Sequence, residues 1–310
     1  MKDIKDIKDK EIRIRNRQMN HHIQPLINDR DSCYIDSLLV ALFADPSPYI
    51  KKHILTPSPT CVDDDACNGD ISYRIQDEIR RVAYLIAVGK ATSVQSLRRM
   101  IKKCPKLNAG ERFDITGMND PSIFFDMFMV KVFPCLTIPS KGQEVCPDCN
   151  QKVDVVENTN LLIPLETGPL DDIDGLLLST IVKEQNLQLI FPDFVIFDLI
   201  RKDPGYRDDI VVVPDREMTV GLSGMKNTLR LKSLVVWEDY HYTAYCLVDG
   251  VWNYYDDTED RVEVIGTYMD MLHSNPNPMT SAKLYVYSRD ERNERNERNE
   301  RNERNERNNR

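Results

Sequence analysis

The 310-residue chain contains no apolar run near the ~20 residues that a membrane-spanning helix needs. Its opening residues, Met1-Lys2-Asp3-Ile4-Lys5-Asp6, lack the apolar centre of a secretory signal. No membrane contact is therefore expected, and cytoplasm or nucleus is the expected location. Cysteine is sparse: eight residues (33, 61, 67, 104, 135, 146, 149 and 246) do not make the dense disulfide framework of a small secreted domain. Histidine is scarcer still, with five residues (21, 22, 53, 241 and 273), so chemistry that requires an imidazole has few places to reside. What is present is a 41% hydrophobic content, enough to fill a large core.

Charge is unevenly spread. Residues 1–17 hold seven Lys/Arg against four acids, a surplus of three, and residues 290–310 balance seven arginines against seven acids. The body therefore carries −12 where the whole chain carries −9. An acidic body argues against nucleic acid as a partner and suits a basic polypeptide. At the C-terminal end, Glu-Arg-Asn triplets run from Glu291 to Asn308 with no apolar residue. Such a segment has nothing to bury against the cost of ordering, so 289–310 reads as a low-complexity disordered tail. Residues 1–20 read as a charged, mobile leader, which leaves 21–288 as one folded domain.

Within that domain the periodicity changes character. Ile35, Leu38, Leu39, Leu42 and Phe43, then Ile75, Ile79, Val82, Ala83 and Ile86, recur at helical spacing. Past residue 150, short β-rich runs dominate: 160–165, 187–190, 194–200, 210–213, 231–237, 242–248, 251–255 and 283–287. A helical front and a sheet-forming rear predict the α+β class.

Two residues stand out chemically. Cys33 follows Asp31-Ser32, good N-cap residues, and so falls in the first turn of the first helix. There the helix dipole and unpaired N–H groups favour a thiolate. At 100° per residue it lies roughly 160° from the centre of the apolar stripe, whereas a cysteine in an apolar segment is ordinarily a packing residue. His241 opens a hairpin: Tyr242–Val248, Asp249-Gly250, Val251–Tyr255. Asp-Gly between β-rich runs signals a two-residue type I′ turn. That turn pairs Val248 with Val251 and sets Thr243 opposite Asp256. His241 and Asp256 then share a face as diagonal neighbours, about 7–8 Å apart at Cα, while Asp257 points the other way. A thiol, an imidazole and a carboxylate are the set that thiol-protease chemistry requires.

These segments resemble a known family. Asn28-Asp29-Arg30-Asp31-Ser32-Cys33-Tyr34-Ile35-Asp36-Ser37-Leu38-Leu39 resembles the cysteine box of ubiquitin-specific proteases, N-x-G-N-T-C-Y-M-N-S-x-L. His241–Tyr245 through Trp252–Asp257 resembles their histidine box, residues 191–201 their P-x-x-L-x-I-x-L-x-R strand, and Leu284–Tyr287 their closing strand. The resemblance implies a papain-like cysteine protease fold with a helical thumb, β fingers and a palm of antiparallel sheet. It implies a monomeric deubiquitinase with Cys33 as nucleophile, His241 as base, Asp256 as its orienting group and Asn28 as a donor to the oxyanion. The partner implied is ubiquitin, or proteins conjugated to it.

The chain departs from the family pattern at several positions. Arg30 and Asp31 stand where the family has Gly and Asn, Asp36 where it has Asn, and Tyr240 where Gly usually precedes the histidine. The Q-Q-D-A-x-E-F segment corresponds to Met118–Phe125, which keeps Asp120 but loses the glutamines and the acid. Two alternatives follow: a ubiquitin-binding module that scarcely turns over, or a protease for another ubiquitin-like modifier. The degenerate boxes and triplet tail suit a divergent member encoded by a large DNA virus or a protist, with host-cell cytoplasm the location in the viral case. Cys146-Pro147-Asp148-Cys149 has zinc-knuckle spacing, but no cysteine lies between 149 and 246 to complete four ligands. Cys61 and Cys67 would have to fold across to do so. No cofactor is therefore expected, the knuckle reads as a tight turn, and Cys104, Cys135 and Cys246 read as packing residues.

Overall fold

The computed structural model describes residues 26–28, 30–56, 69–90, 92–104, 115, 117–133, 137–145, 152–166, 176–179, 193–200, 211–220, 227–259 and 261–289. The leader, the tail beyond Arg289, the 187–190 run and Cys61, Cys67, Cys135, Cys146 and Cys149 lie outside the described residues.

The N-terminal half is helical. Helix α1 (Cys33–Phe43) contains neither Gly nor Pro, and Pro46 stops its continuation shortly after the last turn. It is followed by α2 (Pro48–Ile50, extended by a wide turn over Lys51–Leu55), α3 (Gly69–Ala87), α4 (Gln95–Lys102) and α5 (Pro121–Phe124, extended over Phe125–Val130). In α3 the predicted stripe Ile75, Ile79, Val82, Ala83 and Ile86 is buried while Tyr73 and Tyr84 face water, as an amphipathic helix requires.

The C-terminal half builds a sheet. Its strands are β1 (Thr137–Val145), β2 (Lys152–Asn160), β3 (Leu162–Glu166), β4 (Leu176–Leu177), β5 (Phe194–Ile200) and β6 (Val212–Val213). They continue with β7 (Glu217–Val220), β8 (Asn227–Glu238), β9 (His241–Val248), β10 (Val251–Tyr255), β11 (Glu263–Gly266) and β12 (Ala282–Arg289). Two short helices, α6 (Tyr268–Leu272) and α7 (Pro278–Ser281), precede β12. The main sheet runs β11-β10-β9-β8-β12-β5-β3, with β7 added against β8, and is antiparallel except where β3 meets β5. β1 and β2 form a separate hairpin, which the sequence reading missed because Pro139, Ser140, Lys141 and Gly142 interrupt any alternation.

Both faces of the main sheet are covered, which explains why its strands read as nearly continuous apolar runs. Tyr242, Ala244, Cys246 and Val248 of β9 face the helices, with Leu284 and Val286 of β12 beside them. Tyr245, Leu247, Tyr285 and Tyr287 face a second core that takes in Met271 and Leu272. Helix α1 lies between the sheet and the other helices, against β8, β9, α3 and α5, and all its residues are buried. The Ser233 hydroxyl of β8 donates to the Ala41 carbonyl at 2.7 Å, fixing the helix along the sheet. Truncating a residue such as Leu39 in this layer costs about 2–5 kcal/mol. A lysine also joins the two halves: Lys283 Nζ of β12 lies 2.7 Å from Asp198 of β5 and 3.2 Å from Asp120, the N-cap of α5.

Candidate active site

The site forms where the N-terminus of α1 meets the start of β9 and the end of β10. On the hairpin side the ladder has the expected register, Val251 against Val248 through Tyr255 against Ala244. Asp249 and Gly250 both have positive φ, as a type I′ turn needs. Beyond Tyr255 the ladder ends. Asp256 accepts from the Thr258 backbone N–H at 2.9 Å and from its hydroxyl at 2.7 Å, and this local turn pins the carboxylate. His241 Nε2 lies 2.8 Å from Asp256 Oδ1. A carboxylate only accepts, so Nε2 carries the proton and donates it, leaving Nδ1 as the other ring nitrogen for the Cys33 thiol. Hydrogen bonds with Asp256 and with Cys33 raise His241 to about 10 against the opposing cost of burial. Burial acts to raise Asp256, but the hydrogen bonds from His241 and Thr258 prevail and hold it at about 2.

Asp257 departs from the expected alternation. The chain leaves the strand after Tyr255, so the carboxyl swings inward, and its Oδ1 lies 3.3 Å from His241 Nε2. It also faces Asp36 and Asn28. His241, Asp256 and Asp257 thus bring three oxygen or nitrogen atoms within 4.8 Å of one another. With Nε2 donating to Asp256, that nitrogen has no lone pair to offer a cation in this tautomer.

On the helix side, α1 begins at Cys33 as expected, but the capping differs. Ser32 has helical backbone angles, and its hydroxyl donates to Asp36 Oδ2 at 2.5 Å instead of closing the helix end. Its carbonyl accepts the first helical N–H groups, those of Ile35 and Asp36. Arg30 and Asp31 have φ of 45° and 55°, the left-handed conformation in which glycine is unstrained. Distant groups hold this backbone. Arg98 donates to the carbonyls of Arg30 at 2.8 Å and Ile115 at 2.9 Å. The Leu26 N–H donates to the Tyr255 hydroxyl at 2.6 Å, which brings Asn28 to the cluster.

Cys33 is only 2% exposed. The helical wheel set it apart from the apolar stripe, yet α1 is buried on every face, so that angle separates one part of the interior from another. Beside the cluster, Tyr240 is 78% exposed with φ of 63°, edge-on to Trp237 at 6.0 Å. Trp237 in turn lies 4.4 Å from Tyr242. Among the remaining cysteines, Cys246 is buried and free. Cys104 is buried in the core, as a packing residue is, and is also disulfide-bonded, which the sequence reading did not include.

The structure therefore brings Cys33, His241, Asp256 and Asn28 to one place. It leaves Cys146 and Cys149 outside the described residues. Sequence reasoning missed the carboxyl pair Asp36 and Asp257. The available signal was an acid in the first turn of an otherwise apolar helix.

The sequence matches no protein-family model and no curated protein. Among solved structures, it is similar to a chain of the Ubp8-Sgf11-Sgf73-Sus1 SAGA DUB module. The TM-score is 0.57 at 15% identity, and the match covers 88% of this chain and 69% of that one. At this identity the likeness carries the architecture, a mixed α/β body around a mostly antiparallel sheet, and nothing finer.

Proposed function

We propose that the chain is a thiol-dependent deubiquitinase that hydrolyses isopeptide or peptide bonds at the C-terminal glycine of ubiquitin. The observation that carries this reading is the meeting of a thiol, an imidazole and a carboxylate from residues 33, 241 and 256 within a deubiquitinase-like fold. Cys33 gives its proton to His241 as it attacks, and the imidazole's high proton affinity, set first by its hydrogen bond with Asp256 and then by that with Cys33, favours this transfer. The thiolate attacks the glycine carbonyl. His241 then protonates the leaving lysine amine, and a thioester remains. Water, deprotonated by His241, hydrolyses that thioester and frees the thiol. Asp256 fixes the ring tautomer and balances its charge throughout. The chemistry calls on no cofactor.

The oxyanion has two supports. Asn28 is the side-chain donor that the family resemblance implies. The left-handed Asp31 followed by right-handed Ser32 is the backbone geometry of an anion-binding nest, directly before the nucleophile. The acidic body suits a substrate tail rich in arginine.

The test is Cys33→Ala. Cleavage of a fluorogenic ubiquitin substrate and of ubiquitin chains is expected to be lost, with ubiquitin still bound. Unchanged cleavage by the variant overturns the reading. A second reading, a ubiquitin-binding module that hardly turns over, draws on the burial of Cys33 and on the bulk of Tyr240 beside the site. It predicts ubiquitin affinity without cleavage by the wild-type chain.

A further inference from the structure

Behind His241 lie two carboxyl groups that no catalytic role requires. Asp36, one turn into α1, is fully buried, and Asp257 has a fully buried side chain. Asp36 Oδ2 is satisfied by the Ser32 hydroxyl at 2.5 Å. Among the described residues no donor meets hydrogen-bond geometry with Asp36 Oδ1 or with either buried carboxyl oxygen of Asp257. His241 Nε2, already given to Asp256, lies 3.3 Å from Asp257 Oδ1, and Asn28 also contacts Asp257. The two side chains face each other within hydrogen-bonding reach. Two ionised carboxylates are both acceptors and cannot bond, and two like charges this close in a dry interior repel. One proton between them resolves both problems, since it turns one oxygen into a donor and leaves a single negative charge.

We propose that Asp36 and Asp257 share one proton and act as a carboxylic acid–carboxylate pair that holds Asp257 against His241. The pair is a positioning device. Its single charge lies 3.3 Å from the imidazole that Asp256 already orients, and the shared proton keeps a second charge from accumulating there. The groups facing the pair are Ser32 and Cys33 from α1 and its approach, Asn28 from the preceding segment, and the Tyr255 phenol from β10. Asp256 and His241 complete the surround. The direction of titration agrees with the geometry: burial, then the neighbouring carboxyl, holds Asp36 well above the ordinary carboxylate range. Burial likewise raises Asp257, against the lowering effects of its contacts with Asp36, His241 and Asn28. The proposal rests on the deubiquitinase reading only in giving His241 a catalytic task; the shared proton does not depend on it.

An acid held above its ordinary value binds its proton more tightly folded than unfolded. Native stability therefore falls as pH rises from about 4, where an unfolded aspartate ionises, towards the raised value, and levels off beyond it. Asp36→Asn supplies a neutral amide that donates to Asp257 at every pH. The thermal midpoint of the variant relative to wild type is expected to climb between pH 5 and 9. An offset independent of pH overturns the proposal. In infrared difference spectra at neutral pH, wild type is expected to carry a protonated-carboxyl band that Asp36→Asn removes. A band that persists in the variant, or never appears in wild type, also overturns it. Asp198 is another buried acid with raised proton affinity, so the band must be the one that disappears with Asp36. Should Asp36→Asn not fold, Asp257→Asn removes the other member and must abolish the same band. None of these measurements reads cleavage, so their failure leaves the deubiquitinase reading untouched, and loss of that reading leaves them valid.

Discussion

The two halves of the proposed site are built in opposite ways. The β9–β10 hairpin is locally determined: an Asp-Gly turn with both residues at positive φ, a ladder without a bulge, and strands buried on both faces. The segment from Leu26 to Cys33 has no such support. Its left-handed positions are occupied by Arg30 and Asp31, and the bonds that hold it come from Tyr255, Thr92 and Arg98, from 65 to over 200 residues away. One half is a product of register and the other of tertiary anchoring. His241 therefore sits on a strand and Asp256 in a local turn directly after the next one, while Cys33 and Asn28 depend on contacts that a single distant substitution can remove.

The contrast orders the predictions. The largest effect is expected from the hairpin half. His241→Ala removes the general base, and cleavage is expected to fall by about 10²–10⁴-fold or more. The same variant has a pH signature in stability. The imidazole is raised to about 10, so its contribution is fully present below its unfolded value of about 6.5 and disappears as pH rises through about 10. The difference in thermal midpoint between wild type and His241→Ala should shrink across that window; a constant difference would deny the His241–Asp256 ion pair.

A smaller loss is expected from Asp256→Ala. Removing one charge-assisted hydrogen bond is worth about 1.5–3 kcal/mol, or roughly 10–150-fold in kcat/KM. Asp257 at 3.3 Å limits the damage. A loss equal to that of His241→Ala would mean that Asp257 gives the ring no support.

The smallest effect belongs to the anchored half, and it is a gain. Arg30→Gly relieves a left-handed side-chain conformation worth about 1–2 kcal/mol. It returns about 0.4–1 kcal/mol in unfolded-chain entropy, so urea denaturation should report a net stabilisation of about 1 kcal/mol or less. Destabilisation instead would show that the Arg30 side chain itself holds the loop.

The same contrast explains what was legible. The hairpin could be read because a two-residue turn fixes register arithmetically, and Val248 does face Val251. The reading stopped one residue too late: Asp257 turned inward because the ladder ends at Tyr255, where the Asp256–Thr258 turn takes over. The β8–β9 turn went unread because Asp239 and Tyr240 occupy its positive-φ positions with no glycine to mark them. On the anchored side, helical spacing gave the start of α1 but not its surroundings. An eleven-residue helix buried on every face has no solvent side for a wheel to find. Nothing local in the sequence pairs Arg98 with the Arg30 carbonyl, or Asp36 with Asp257, since those contacts exist only once helix and sheet are packed.

The central claim is that Cys33 is a nucleophile addressed to the C-terminus of ubiquitin. The most direct measurement is labelling of the full-length chain with ubiquitin carrying a C-terminal electrophile, followed by mass mapping of the adduct. The account predicts a single covalent adduct at Cys33, abolished by Cys33→Ala and strongly slowed by His241→Ala. No adduct, or an adduct that survives Cys33→Ala, would contradict it.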